Sequence, residues 1–325
     1  MRDRKLIVLL LAAWLLCAAA GLCFGSTRLD LWAVLTGTAD PSQSLILWQL
    51  RLPRVLAGLL AGVGLSAAGA LLQSVTANAL ASPNIIGINS GAGLSVILLL
   101  TLAPTAGRLT PIAAFCGAFA AAMVILFAAG RLSGSKLTIL LVGIAITTLL
   151  NAAISFLSLL DEGVLAQYNH FTVGSLKAVR LRELGIPAIF IGASCVAALL
   201  LGPKLNVLCL GDEAAAALGV RVKAVRLAAM ACAAMSAAAV VSFAGLLGFV
   251  GLIIPHIARR LVGEDLRKLL PTGALLGGCL VVLADLLGRV LLAPSEIPVG
   301  ILMSAIGAPY FLGLLLRRNR YDRIS

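Results

Sequence analysis

The sequence predicts an all-α, polytopic membrane protein with about ten transmembrane helices, and three observations carry that prediction. Of the 325 residues, 61% are hydrophobic and only 12% are charged, and the mean hydropathy is +1.09. A soluble chain of this length must cover a large exterior with polar groups, a demand that lipid removes. Second, the apolar residues come in long uncharged runs near the twenty or so residues needed to cross a bilayer. Third, the basic residues are distributed unequally between alternate loops.

Ten spans are read in order: 6–25, 54–74, 86–104, 110–130, 137–159, 184–203, 225–243, 245–261, 269–292 and 299–317. The first follows a basic start; its run from Leu6 to Phe24 is too long for the apolar region of a cleaved signal and is read as an uncleaved span. Two stretches are irregular. Ser82-Pro83-Asn84 interrupts the approach to the third span, and a Gly-rich stretch runs into Pro255 around the eighth. Either reads as a re-entrant or broken element.

With both termini on the cytoplasmic side, seventeen of the 25 Lys and Arg fall in inner segments and eight in outer ones. That is the bias of cytoplasmic loops, and it supports an even count of spans. The outer loops 26–53 and 160–183 and the inner loop 204–224 are the longest connections. The chain reads as a single transmembrane domain, 1–325.

The remaining composition excludes other classes. A net charge of +12 without an aromatic-studded basic patch fits span ends rather than nucleic acid. Seven Cys with no CxxC, and only two His, offer neither a disulfide framework nor a polynuclear metal site. No phosphate loop is present, since Gly134-Ser135-Lys136 lacks the preceding spacing. No cofactor is expected in this chain. The spans are almost free of charge except Asp285, with Arg289 four residues on, so ion coupling has no obvious carrier. GxxxG pairs such as Gly58/Gly62 and Gly87/Gly91 carry little weight among 33 glycines. Without its own energy source, a transporter needs a partner motor and a cytoplasmic element to meet it.

The segment Gly211-Asp212-Glu213-Ala214-Ala215-Ala216-Ala217-Leu218-Gly219 is that candidate. The two acids suit a helix N-terminus and Gly219 suits a C-cap. Residues alone leave two readings open: an ordinary loop helix, or a lever seated on a motor protein.

These residues resemble the ATPase-contacting segment of the importer permeases for ferric siderophores, haem and cobalamin. The resemblance runs through Arg51-Leu52-Pro53-Arg54, Gly69 to Gln73, Asn78 to Pro83, Gly87 to Ala92, Gly248 to Arg259, Ala284-Asp285 with Arg289, and Pro298 to Pro309. Ala77 and Ala79 stand where that family usually has Arg and Pro. The resemblance implies ten helices in two inverted five-helix halves, about 1–170 and 171–325, in the cytoplasmic membrane. It also implies a second permease subunit, two ATPase subunits that bind ATP and Mg, and an extracytoplasmic binding protein.

In that frame, Gly211, Asp212, Glu213, Ala214, Ala217, Leu218 and Gly219 become the ATPase-coupling residues. Arg51, Arg54 and Arg289 become candidates for docking the binding protein, since a planar guanidinium suits a carboxylate; the competing reading is interfacial snorkelling, or pairing of Arg289 with Asp285. Gly143, Thr147, Asn151, Ser155 and Ser158 share one helix face. They read either as glue between helices or as the pathway wall that the resemblance implies. Ser135, Lys136 and Leu137 correspond to the cytoplasmic gate. Ferric siderophore is the expected cargo, with haem or cobalamin as alternatives; a self-sufficient secondary transporter is the rival class. His170 in the outer loop is read as a surface residue, not a haem ligand.

Overall fold

The computed structural model of the chain describes residues 2–25, 27, 29, 33–34, 36–38, 40–131 and 136–321, with no strand among them. Every apolar run contains a helix. In chain order these are α1 (Arg2–Cys23), α2 (Leu52–Thr76), α3 (Ile88–Leu102), α4 (Thr110–Arg131), α5 (Lys136–Ser158), α6 (Glu162–Val173), α7 (Gly185–Leu208), α8 (Asp212–Ala217), α9 (Val222–Ala244), α10 (Val250–Val262), α11 (Leu266–Val290) and α12 (Val299–Tyr321). A short helix, Pro41–Leu45, and a π-helical turn, Ile46–Arg51, lead into α2. Pro53 sits just after that π-helical turn, where its missing N–H removes one bond from the ladder. Side chains cap two other starts: Asp161 accepts from Gly163 N at 2.7 Å ahead of α6, and Asp265 accepts from Arg267 N at 3.0 Å ahead of α11.

Among the described residues, seven helical stretches are long and apolar enough to cross a membrane: Lys5–Cys23, Pro41–Thr76, Pro104–Arg131, Leu137–Ser158, Leu181–Leu208, Val222–Ala244 and Leu266–Val290. Ile88–Leu102 and Val299–Leu314 are apolar but shorter. The stretch 245–261 differs most from the expected span. Its helix begins only at Val250 and has 13 residues, about 20 Å of rise against a hydrocarbon core of about 30 Å. The cause is local: Gly245 (φ 69°) terminates α9, and Phe249 (φ 64°) starts α10 from the left-handed region, so the chain cannot run helically through residues 245–249.

Buried α2 is the centre of the bundle, packed on α11, α9, α10 and α7. Its glycines permit backbone contact. A Cβ at Gly62 would lie 2.1 Å from the Gly277 carbonyl of α11, and one at Gly69 would lie 1.8 Å from the Gly251 carbonyl oxygen of α10. Gly91 of α3 meets Gly117 of α4 in the same way, at 2.4 Å. The GxxxG pairs discounted in sequence therefore include two real crossings, Gly62 and Gly91. Polar side chains reinforce these contacts. Gln73 of α2 donates to Gly251 O at 3.2 Å while its carbonyl accepts from Arg259, and Ser236 of α9 donates to Gly64 O at 3.0 Å. Each satisfies a polar group inside an apolar bundle, where an unmade bond is expensive.

Candidate functional site

Two ends of the bundle carry the chemistry. At one end, the last turn of α1, the entry to α2 and the last turn of α11 converge. Arg51 is 4% exposed, Arg54 7% and Arg289 3%. All three arginines of the sequence reading are thus brought together, but inside the molecule. Arg51 donates to the carbonyls of Leu22 (2.8 Å), Cys23 (2.6 Å) and Thr27, filling acceptors that the end of α1 leaves open. Arg54 Nε meets both Asp285 oxygens at 2.9 Å, and its Nη1 donates to Glu296 Oε2 at 3.0 Å. Arg289 Nε lies 3.2 Å from Asp285 Oδ2, and Nη1 donates to Gly21 O at 3.1 Å. The Asp285–Arg289 pairing raised from the i, i+4 spacing is present, with Arg54 as a third member.

Lys177 completes the group, 3.7 Å from Glu296 and with 70% of its side chain exposed. Burial acts to raise the Glu296 carboxyl, but the Arg54 guanidinium, its hydrogen bond, Lys177 and Arg289 together hold it below its ordinary value. A cavity of about 220 Å³ opens among these side chains, lined by Arg51, Arg54, Arg289, Lys177 and Glu296 among others. Sequence reasoning missed Glu296 and Lys177 as members. One signal was available for Glu296: an acid in an outer loop of a chain with only 13 acids.

At the other end, α8 sits between α7 and α9. Gly211 (φ 111°) turns the chain into it, and Gly219 (φ 79°) closes it as the expected left-handed C-cap, with Val220 N donating to Ala215 O at 3.0 Å. Ala215 is fully buried. Arg226 Nη2, on α9, donates to both Asp212 oxygens at 2.8 Å. One face of α8 is therefore fastened to the bundle, while Glu213, Ala214, Ala217, Leu218 and Gly219 stand exposed, Leu218 at 65%. Asp212 fastens α8 while 48% of its side chain stays exposed. Nearby, Asn206 at the end of α7 donates to Asp265 Oδ1 at 2.7 Å and accepts from Leu266 N at 3.0 Å, which ties the end of α7 to the start of α11. These ties link residues up to sixty positions apart, so no local pattern announced them.

The polar stripe of α5 runs from packed to open surface. Gly143 is buried, Thr147 half-buried with a hydroxyl lacking a hydrogen-bond partner among the described residues, and Asn151 and Ser155 exposed. Ser158 is half-buried and donates to Ser155 O at 2.8 Å. Of the gate residues, Ser135 and the side chain of Lys136 lie outside the described residues; Leu137 is exposed. His170 lies on α6, exposed, beside a cavity of about 480 Å³ that Lys177 and Glu183 also line.

A bundle of apolar helices with glycine-mediated crossings, an ionic cluster at one end and a fastened surface helix at the other defines a multi-pass membrane transport permease. The chain belongs to the FecCD transport family, whose pattern it matches over residues 9–317. It is 35% identical over 324 residues to the hemin transport system permease protein HmuU of Yersinia pestis, covering 98% of this chain and 97% of that protein. It is 37% identical over 319 residues to the Fe(3+)-citrate import system permease protein YfmE of Bacillus subtilis (strain 168), covering 97% and 96%. Among solved structures, it resembles a chain of a metal-chelate type ABC transporter in an inward-facing conformation, with a TM-score of 0.86, 30% identity, and coverage of 97% of this chain and 99% of that one. The chain is thus an ABC importer permease, and transport permeases are not themselves enzymes.

Proposed function

We propose that this permease moves a ferric siderophore, or a similarly bulky iron chelate, across the cytoplasmic membrane by alternating access, powered by separate ATPase subunits that bind ATP and Mg. The observation that carries the reading is α8: a six-residue helix fastened from behind by Asp212–Arg226 and Ala215, with an apolar and acidic face turned outward. That is the form of a lever for an external motor. In this reading the α8 end is cytoplasmic, both termini lie on that side, and ten helices cross the membrane in two inverted halves. The short α3 and α10 are then shielded by neighbours from full contact with lipid, which is where irregular backbone is tolerated. A second permease subunit, identical or paralogous, packs alongside. An exposed Asn151 and Ser155 facing lipid would be costly, which supports their lining a wet path between two such subunits.

The extracytoplasmic binding protein docks at the opposite end. Because Arg51, Arg54 and Arg289 are buried, its carboxylates reach them through the cavity rimmed by Lys177 rather than on an open surface. Haem is the runner-up cargo, favoured by the likeness to a hemin permease; cobalamin follows.

The deciding experiment is uptake of labelled ferric siderophores, haem and cobalamin into cells lacking this chain. Wild type is compared with Glu213→Lys, which reverses a charge on the exposed face of α8 and leaves the Asp212–Arg226 fastening in place. Restored uptake of one cargo, abolished by the charge reversal with membrane levels unchanged, supports cargo and coupling site together. Uptake that survives the reversal removes α8 as the motor contact. Uptake in proteoliposomes without an ATPase would point instead to a secondary transporter.

A further inference from the structure

The cavity among the buried arginines is charged out of balance. Four cations, Arg51, Arg54, Arg289 and Lys177, meet two carboxylates, Asp285 and Glu296, among the described residues. Both carboxylates are already engaged by Arg54, and among the described residues Arg51 is held by neutral oxygens. Arg289 is 3% exposed, yet its Nη2 has no hydrogen-bond partner among the described residues. A buried guanidinium nitrogen without an acceptor, beside an excess of positive charge, is an unfilled anion seat.

The surroundings specify what kind of anion. The segment leading into α2 and the end of α1 expose large apolar side chains: Phe24 is 64% exposed, Leu45 52%, Trp48 53% and Leu50 55%. Ile46 and Leu50 also line the cavity itself. A tryptophan among exposed aliphatic side chains at the end of membrane helices marks the headgroup level. A soluble anion would use the cations and leave these apolar groups idle. A lipid uses both, with its phosphate among the guanidinium groups and its acyl chains leaving past Ile46 and Leu50.

We propose that this cavity holds the phosphate of an anionic phospholipid, seated by Arg289, Arg51 and Lys177. The site lies where the binding protein is proposed to dock, so a docking carboxylate would displace the headgroup. Lipid retention is nevertheless a property of the permease alone, and it can fail or succeed independently of docking.

The test uses the purified full chain, delipidated in detergent. Phosphatidylglycerol, zwitterionic phosphatidylcholine and inorganic phosphate are added separately, and retention is read by native mass spectrometry alongside thermal melting. Phosphatidylglycerol should be retained in preference to phosphatidylcholine. Lys177→Gln should weaken that retention about fivefold, as expected for one basic residue at a membrane surface, and Arg289→Gln should weaken it further. Lys177 is largely exposed, so its variant carries the test if Arg289→Gln does not fold. Equal retention of the two lipids, or variants that bind like wild type, would overturn the proposal. Stabilisation by inorganic phosphate equal to that by phosphatidylglycerol would also overturn it, by assigning the seat to a free oxyanion.

Discussion

Replacing Gly69 by Ala tests whether the centre of the bundle is held by touching backbones. The added Cβ would lie 1.8 Å from the Gly251 carbonyl oxygen, whereas ordinary contact begins at 3.4 Å, so α2 and α10 would have to part by about 1.6 Å. The obstacle is backbone, so no side chain can swing aside. Parting also stretches the Gln73–Gly251 hydrogen bond, already 3.2 Å, out of range and draws Gln73 away from Arg259. Overpacking of this kind costs about 1–3 kcal/mol, and a lost hydrogen bond adds about 1 kcal/mol. Together they come to about 2–4 kcal/mol, one and a half to three powers of ten in the folded-to-unfolded ratio. The assay is the thermal melt of detergent-purified protein, followed by the monodisperse fraction that survives heating. Gly192→Ala is the matched control, because nothing lies within 4 Å of a Cβ there. A Gly69→Ala protein that melts with the Gly192→Ala protein would refute the argument.

Four further outcomes follow from the same geometry. Asp285→Ala leaves Arg54 and Arg289 buried without their shared carboxylate and should destabilise by about 3–5 kcal/mol, read in the same melt; a loss under about 1 kcal/mol would mean that solvent reaches the cluster. Asp212→Ala frees α8 from Arg226 and should lower ATP-dependent uptake by roughly tenfold, about 1.4 kcal/mol of lost coupling, at unchanged membrane level, with Arg226→Ala adding little on top; additive losses would show that the pair is not the fastening. The Glu296 carboxyl titrates below its ordinary value of 4.5, so its contribution to stability is present above that pH and disappears as pH falls through the native value. Melts below pH 4.5 should therefore drop less steeply for Glu296→Gln than for wild type. Ala77 ends α2 with φ 49°, a conformation costing a Cβ-bearing residue about 1–2 kcal/mol. Ala77→Gly should raise the melting temperature, and a decrease would show that the Ala77 side chain makes a contact worth more than the strain.

Much of this architecture was legible because lipid imposes a simple rule. An uncharged apolar run must fold as a helix, and each run contains one. The Gly-rich stretch before Pro255 also signalled its own irregularity, although not that helix α10 would shrink to 13 residues; the left-handed Phe249 has no sequence mark. Capping was legible too, since Gly219 closes α8 where an Ala-rich run should stop. What the chain's linear order concealed is pairing across distance. Arg54 finds Asp285 and Glu296 more than 230 positions away, and Gly62 meets Gly277. Glycine is too common here for one crossing partner to identify another, and an arginine near a span end looks the same whether it snorkels to water or turns inward. The burial of Arg51, Arg54 and Arg289 is therefore the feature that sequence was least able to supply.

The carbonyls at the end of α1 have a consequence for biogenesis. Gly21, Leu22 and Cys23 leave the ribosome early, but the groups that satisfy their oxygens come later: Arg51 follows Leu22 by 29 positions, and Arg289 follows Gly21 by 268. The first helix can therefore enter the bilayer early in synthesis, but its C-terminal end gains its final ligand only when almost the whole chain has been made. Nascent chains arrested before residue 289 should hold α1 loosely, as a substrate for membrane quality control, and completion of α11 is the event that locks the first helix to the penultimate one.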